Sequence, residues 1–204
     1  MTKPKNLAIE IVKLAIKAVT IVLVPPVAAI VCLLHHLVIK NSLLRVYSAN
    51  VLVMTMIYNT PQDLLGTEGT DLGSTGWSEI TQERIDLFAE ATGDHQWIHT
   101  DPDKAKDGPF GRTIAHGYLT LSLTNQFLPE LLQVTNISMG VNYGVNKVRF
   151  PSPVPVGSIV RARGKIGEVT ELADGVQVTV IITVEVEGSP KPACIVESIS
   201  RFIN

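Results

Sequence analysis

Between Thr81 and Gly93 the apolar residues Ile85, Phe88 and Ala89 recur at the spacing of one helix face. Thr81 is a good N-cap for that helix, Gln82, Glu83 and Arg84 form its polar first turn, and Gly93 is a natural stop. A further helical turn is predicted over Asp101–Lys106, ended by Asp107-Gly108-Pro109. Gly117 to Leu128 reads as a helix apolar nearly all round, because Leu119, Leu121, Leu123, Phe127 and Leu128 leave little polar face. An element of that kind belongs at the centre of a fold, covered on all sides. Ahead of these helices, Trp77–Ile80 is a short strand candidate, and glycine-rich Leu64–Gly76 reads as a loop.

After Pro129 the pattern changes to alternation. Val141–Phe150, Ser158–Val169, Gly175–Glu187 and Ala193–Ile203 are β-branched runs bounded by Gly, Pro and Asp, and they predict antiparallel strands. In the second run Val160, Ala162 and Ile166 share one side, with Arg161, Arg163 and Lys165 on the other. Asp174-Gly175 suits a hairpin turn. One long apolar helix followed by several long strands predicts an α+β architecture, with the sheet wrapped around the helix.

The N-terminal quarter has different physics. Ala18–Ile39 is a 22-residue run without Lys, Arg, Asp or Glu, and about 20 apolar residues suffice to cross a bilayer core. Pro25-Pro26 would kink a helix there, and His35-His36 adds polar cost. The run reads as a membrane anchor or re-entrant hairpin, or else as an overlong start ahead of Met54 or Met56. The chain therefore divides into an apolar, basic-flanked extension over 1–55 and a main domain over 56–204. More positive charge precedes the run than follows it, which favours a cytoplasmic N-terminus. A single crossing would put the main domain outside. The expected cytoplasmic location, membrane-associated through 18–39, thus requires re-entry or an overridden charge bias.

Residues 1–55 hold six Lys or Arg against one acid, Glu10, and the remainder is acidic enough to bring the chain to −2. An acidic main domain argues against a nucleic-acid partner, which needs clustered Lys and Arg. Cys32 and Cys194 match no metal-ligand or redox spacing and read as free thiols in a reducing compartment.

Candidate chemistry gathers after the first helix. Asp94 follows a helix-stopping glycine, which places its carboxylate on a loop, and His99 comes five residues later. Asp94 could equally be a local turn residue. Gly117 opens the apolar helix, where unpaired N–H groups and the helix dipole favour developing negative charge; its alternative role is close packing. A carboxylate, an imidazole and a free amide hydrogen are the parts for adding water to a conjugated carbonyl compound. His116 reads as a helix-entry or structural histidine rather than a second base. Arg149, Arg161, Arg163 and Lys165 could meet the phosphates of a cofactor-like substrate handle, though an outward basic strand is usually a solvated face.

The segment from Phe88 to Ala105 (FAEATGDHQWIHTDPDKA) resembles the hydratase-2 signature of MaoC-like hydratases and dehydratases, which include (R)-specific enoyl-CoA hydratases and a nodulation protein N-like group. PFGRTIAHGY over 109–118 and NKVRFPSPVPVG over 146–157 continue the similarity in the same order. The resemblance implies a hot-dog fold, paired into a homodimer with its sheets continuous across the interface. It implies reversible hydration of a trans-2-enoyl thioester, carried by CoA or acyl-carrier protein, to an (R)-3-hydroxyacyl thioester, with no cofactor and no metal. Asp94 and His99 match the catalytic pair and Gly117 the amide that holds the thioester oxygen. Gln96, Trp97, His116 and Tyr118 would line the substrate site. The family often has Asn-Pro where this chain has Gln96-Trp97, which bears on substrate size. Thioester hydrolysis and non-catalytic acyl-thioester binding are the alternatives.

Overall fold

The computed structural model describes residues 55–204. The apolar run over 18–39, and with it the membrane expectation and the N-terminal side of the boundary at residue 55, lies outside the described residues. Among those described, no helix is long and apolar enough to cross a membrane.

The described residues open with three short strands, β1 (Met56–Tyr58), β2 (Asp71–Ser74) and β3 (Ser78–Glu79). Helices α1 (Gln82–Thr92), α2 (Trp97–Thr100), α3 (Pro102–Lys106), α4 (Gly117–Ser122) and α5 (Thr124–Leu131) follow. Strand β4 (Leu132–Val134) leads to the long strands β5 (Met139–Arg149), β6 (Ile159–Leu172), β7 (Gly175–Val186) and β8 (Cys194–Ile203). The main sheet runs β2-β6-β7-β8-β5, with β3 beside β6 and every pairing antiparallel.

Alternation decides which face is buried. Val176, Val178, Val180, Ile182 and Val184 of β7 point to one side and are wholly buried. Val160, Ala162 and Ile166 of β6 join them, as do Cys194 and Val196 of β8. Each buried branched side chain is worth roughly 1.5–3 kcal/mol relative to exposure. Leu119, Leu123, Phe127 and Leu131 of the α4–α5 segment complete the same core. Register shifts between Ile166 and Val169 in the β6–β7 pairing, and at two places in β5–β8, interrupt the ladders and bend the sheet. A helix packed on one face of a bent antiparallel sheet is the hot-dog arrangement, α+β in class, as expected.

The cap and stop of α1 act as predicted. Thr81 Oγ1 accepts from the Arg84 amide at 3.2 Å, and Gly93 ends α1 in the left-handed region at φ 77°. Asp101 caps α3 through the Lys104 amide at 2.9 Å.

Four expectations need correction. The apolar helix is two segments that meet at Leu123 and run past Pro129 to Leu131. Pro129 lies inside the second segment, where it removes one i→i−4 bond shortly before the helix gives way to β4. Nor is the helix covered all round: Tyr118, Ser122, Asn125 and Gln126 form an exposed face. The stretch read as a loop over Leu64–Gly76 contains β2, anchored by fully buried Leu72. The β6–β7 hairpin turns on Ala173-Asp174, one residue early, with Gly175 already paired to Leu172. The parallel pairing of β1 with β4 had no counterpart in the pattern, since each strand is three residues long.

Candidate active site

Helix α1 ends at Gly93 and delivers Asp94 to an exposed loop; α2 then carries His99 inward to a buried position. The segment before α4 closes the arrangement from the other side. The Ile114 amide donates to the Ile98 carbonyl at 3.0 Å, and the Ala115 amide donates to Val154 at 2.8 Å. His99 Nδ1 lies 2.7 Å from the Ile114 carbonyl oxygen. A carbonyl only accepts, so Nδ1 carries the hydrogen and Nε2 of the neutral ring keeps its lone pair.

His116, also buried, stacks on His99 with ring centroids 3.8 Å apart and 25° between planes. Its Nε2–H donates to the Asp94 carbonyl at 2.9 Å. Asp94, His99 and His116 each present an atom within 4.8 Å of the others. Burial holds the His99 ring below its ordinary pKa of 6.5; the Ile114 carbonyl opposes this, the charge of His116 adds to it, and the Asp94 carboxylate opposes it. The ring is thereby kept a lone-pair acceptor close to a carboxylate.

The donor types of this cluster suit a cation; His99 Nδ1 and His116 Nε2 are already committed to carbonyl oxygens, which leaves one nitrogen on each ring and the Asp94 carboxylate. The arrangement suits two acceptors for the hydrogens of one water molecule.

Gly117 follows His116 at the first position of α4. A Cβ there would stand 3.2 Å from the Phe150 ring, and Phe150 in turn meets Tyr118 edge-on at 6.3 Å. Tyr118 is exposed. Gln96 is exposed at the N-terminus of α2, with no side-chain capping bond. Trp97 packs against the turn at Gly108, where a Cβ would come within 2.9 Å of its ring, and Lys104 Nζ lies 5.0 Å over it. Asp94, His99, His116 and Gly117 are thus brought together, while the Trp97 ring faces the 104–108 turn.

Two supporting residues carry no signal in the sequence. Gln82 of α1 donates to the His99 carbonyl at 2.8 Å and accepts from Thr113 Oγ1 at 2.5 Å, tying three segments of the site together. Its place in a polar first turn gave only a solvated reading. Phe150 covers the start of α4, and nothing in an apolar strand end marks that contact in advance.

The basic strand β6 faces elsewhere. Arg161 Nε donates to Glu185 at 2.8 Å, with its guanidinium 4.5 Å over Trp77, and Arg163 lies 3.8 Å from Asp71. Both arginines answer acids on the sheet's outer face. A surface pocket of about 350 Å³ beside Trp77, Arg161 and Lys191 includes none of the clustered site residues.

Fold and site together define a hot-dog domain with a carboxylate–imidazole pair at the entrance of its helix. The comparisons with known proteins agree: the MaoC like domain matches residues 64–188, more than half of the chain. The chain belongs to this family. It is 52% identical over 147 residues to 3-hydroxyacyl-thioester dehydratase Z of Mycobacterium tuberculosis, covering 72% of this chain and 97% of that protein. It is 45% identical over 131 residues to nodulation protein N of Rhizobium leguminosarum bv. viciae, covering 61% of this chain and 80% of the relative. Among solved structures, R-hydratase PhaJ1 from Pseudomonas aeruginosa shares the fold with a TM-score of 0.59 at 22% identity, over 72% of this chain and 87% of that one.

Proposed function

We propose that this protein is a hydro-lyase that reversibly adds water to a trans-2-enoyl thioester, giving the (R)-3-hydroxyacyl thioester. The observation that carries the reading is the His99 tautomer: with Nδ1–H committed to Ile114, Nε2 is left as an acceptor beside the Asp94 carboxylate. The similarity to a named 3-hydroxyacyl-thioester dehydratase along nearly its whole length supports the same chemistry.

In the hydration direction Asp94 and His99 Nε2 each accept a hydrogen bond from one water. Its oxygen bonds to C3 as Asp94 takes its proton, and the C2–C3 π electrons move toward the thioester carbonyl. The Gly117 amide receives the oxygen that gains charge, a fixed donor of the kind worth several kcal/mol of barrier. Asp94 then returns the proton to C2, so the carboxylate is regenerated and nothing is oxidised or reduced. Gln96 and Tyr118 would line the acyl side of the site, with Trp97 bracing the 104–108 turn behind it, and the thioester carrier is CoA or acyl-carrier protein.

A second copy of the chain fits the outer edge of β5, which pairs with no strand among the described residues. This eleven-residue strand ends the sheet and exposes Met139, Tyr143 and Val145, and an unpaired edge with apolar side chains invites another strand. Residues 1–55 are an extension distinct from the catalytic domain over 56–204, which acts in the cytoplasm. A tether through 18–39 is tested by deleting 1–55: turnover should persist, while protein moves from the membrane fraction to the soluble one.

The test of the reaction is a spectrophotometric hydration assay on trans-2-enoyl-CoAs of graded length, with chiral analysis of the product. Asp94→Asn and His99→Gln should each lower kcat by about 10²–10⁴-fold with unchanged circular dichroism. Near-normal hydration by Asp94→Asn, or release of free thiol in place of hydration, would overturn the assignment.

A further inference from the structure

One atom of the site lacks a partner. His116 Nδ1 is buried and makes no hydrogen bond among the described residues, although buried polar atoms are nearly always paired. The same ring is 3% exposed, closed in by His99 on one side and by Phe88 at 5.0 Å. An apolar ring would fill this space without leaving a bare nitrogen. The imidazole supplies two things an apolar ring cannot: an N–H for the Asp94 carbonyl and a polar, proton-binding face against His99.

We propose that His116 is a positioning residue for the hydration site: it ties the Asp94 loop to the start of α4 and, through the stack, holds the His99 ring in its plane. This rests on the function proposed above and adds a residue that acts through its neighbours rather than on substrate. Three contacts make the case. The Nε2–H bond to Asp94 fixes the loop backbone beside the carboxylate. His116 is itself the residue before Gly117, so the same side chain ties the carboxylate loop to the amide. The stack at 3.8 Å covers one face of the His99 ring, while the Ile114 carbonyl holds its Nδ1 edge; Gln82 of α1 reaches only the His99 backbone.

Nitrogen NMR of the full chain reads the imidazoles without requiring turnover. In the wild type, His99 should show the Nδ1–H tautomer and His116 the Nε2–H tautomer, with the His99 titration midpoint below that of free histidine. In His116→Gln, which keeps an N–H but loses the ring, the single Nδ1–H signal of His99 should give way to mixed tautomers. In His116→Phe, which keeps a ring on the stack, the His99 tautomer should persist, but loss of the loop tether should lower kcat by about 10²-fold, the cost of a small misplacement. A folded His116→Phe with unchanged kcat, an unaltered His99 tautomer in His116→Gln, or the opposite tautomers in the wild type would sink the proposal. Absence of hydration by the wild type would instead remove the proposed function and leave the NMR result standing on its own.

Discussion

Phe150 lies across Gly117, so close that a methyl group on the glycine would stand 3.2 Å from the aromatic ring. The contact joins the end of β5 to the first residue of α4, where the thioester oxygen is proposed to bind. Phe150 is partly exposed and has room to swing away. Gly117→Ala should therefore disturb the site more than the fold, with little change in Tm and a loss in kcat of about 10²-fold. The double variant Gly117→Ala/Phe150→Leu should recover part of that loss. No recovery would mean that the alanine acts in some way other than through the ring.

The tightest backbone approach lies at the β6–β7 hairpin. A Cβ on Gly175 would come 2.0 Å from the Phe202 carbonyl oxygen of β8, and that backbone is held in the β7–β8 ladder, so it cannot step aside without breaking pairs. Gly175→Ala should cost about 3 kcal/mol or more, at or beyond the upper end of overpacking, as measured by urea denaturation. A loss within about 0.5 kcal/mol, the range of a surface substitution, would show that the strands separate there readily.

Arg161 is committed to Glu185 and Trp77 on the outer face of the sheet. Arg161→Ala should leave KM for a CoA thioester and for a short pantetheine thioester equally unchanged. Its stability cost should be below about 1 kcal/mol, because both partners are about a third exposed and solvent screens the pair. A rise in KM confined to the CoA substrate would instead place coenzyme phosphates at this face.

His99 gives stability a dependence on acid. Burial, more than any other influence, holds the folded ring below 6.5. As pH falls below 6.5 the unfolded chain takes up the proton first, so the unfolded state gains stability relative to the folded one. This contribution is fully present above 6.5 and is lost as pH drops through the lower, folded value. Tm should decline in that window in the wild type and decline less steeply in His99→Gln, with the two compared by calorimetry. Parallel declines would show that the ring is not the group responsible.

Where a structural decision rests on neighbouring residues, it can be read along the chain. Thr81 and Asp101 cap their helices through amides three residues away, and Gly93 stops α1 by its own backbone conformation. The alternation of β6 and β7 names the buried face without knowledge of the partner strands. The order Asp94, His99, Gly117 was legible as candidate chemistry because helix stops and starts place such residues on loops.

Contacts made across the fold were not legible in that way. Pattern alone suggests His116 as a helix-entry residue, and only folding lays it on His99 and beneath the Asp94 carbonyl, 22 positions earlier in the chain. The β1–β4 pairing, the single-residue offset of the hairpin at Gly175 and the cover that Phe150 gives Gly117 are of the same kind. The amino-acid sequence by itself determined the ends of α1, the sheet's inner face and the candidate side chains, because caps, periodicity and side-chain chemistry act over one or two turns. Only the tertiary structure decided which nitrogen of His99 is free and what stands against it, because a tautomer is set by whichever carbonyl packing brings within reach, here that of Ile114.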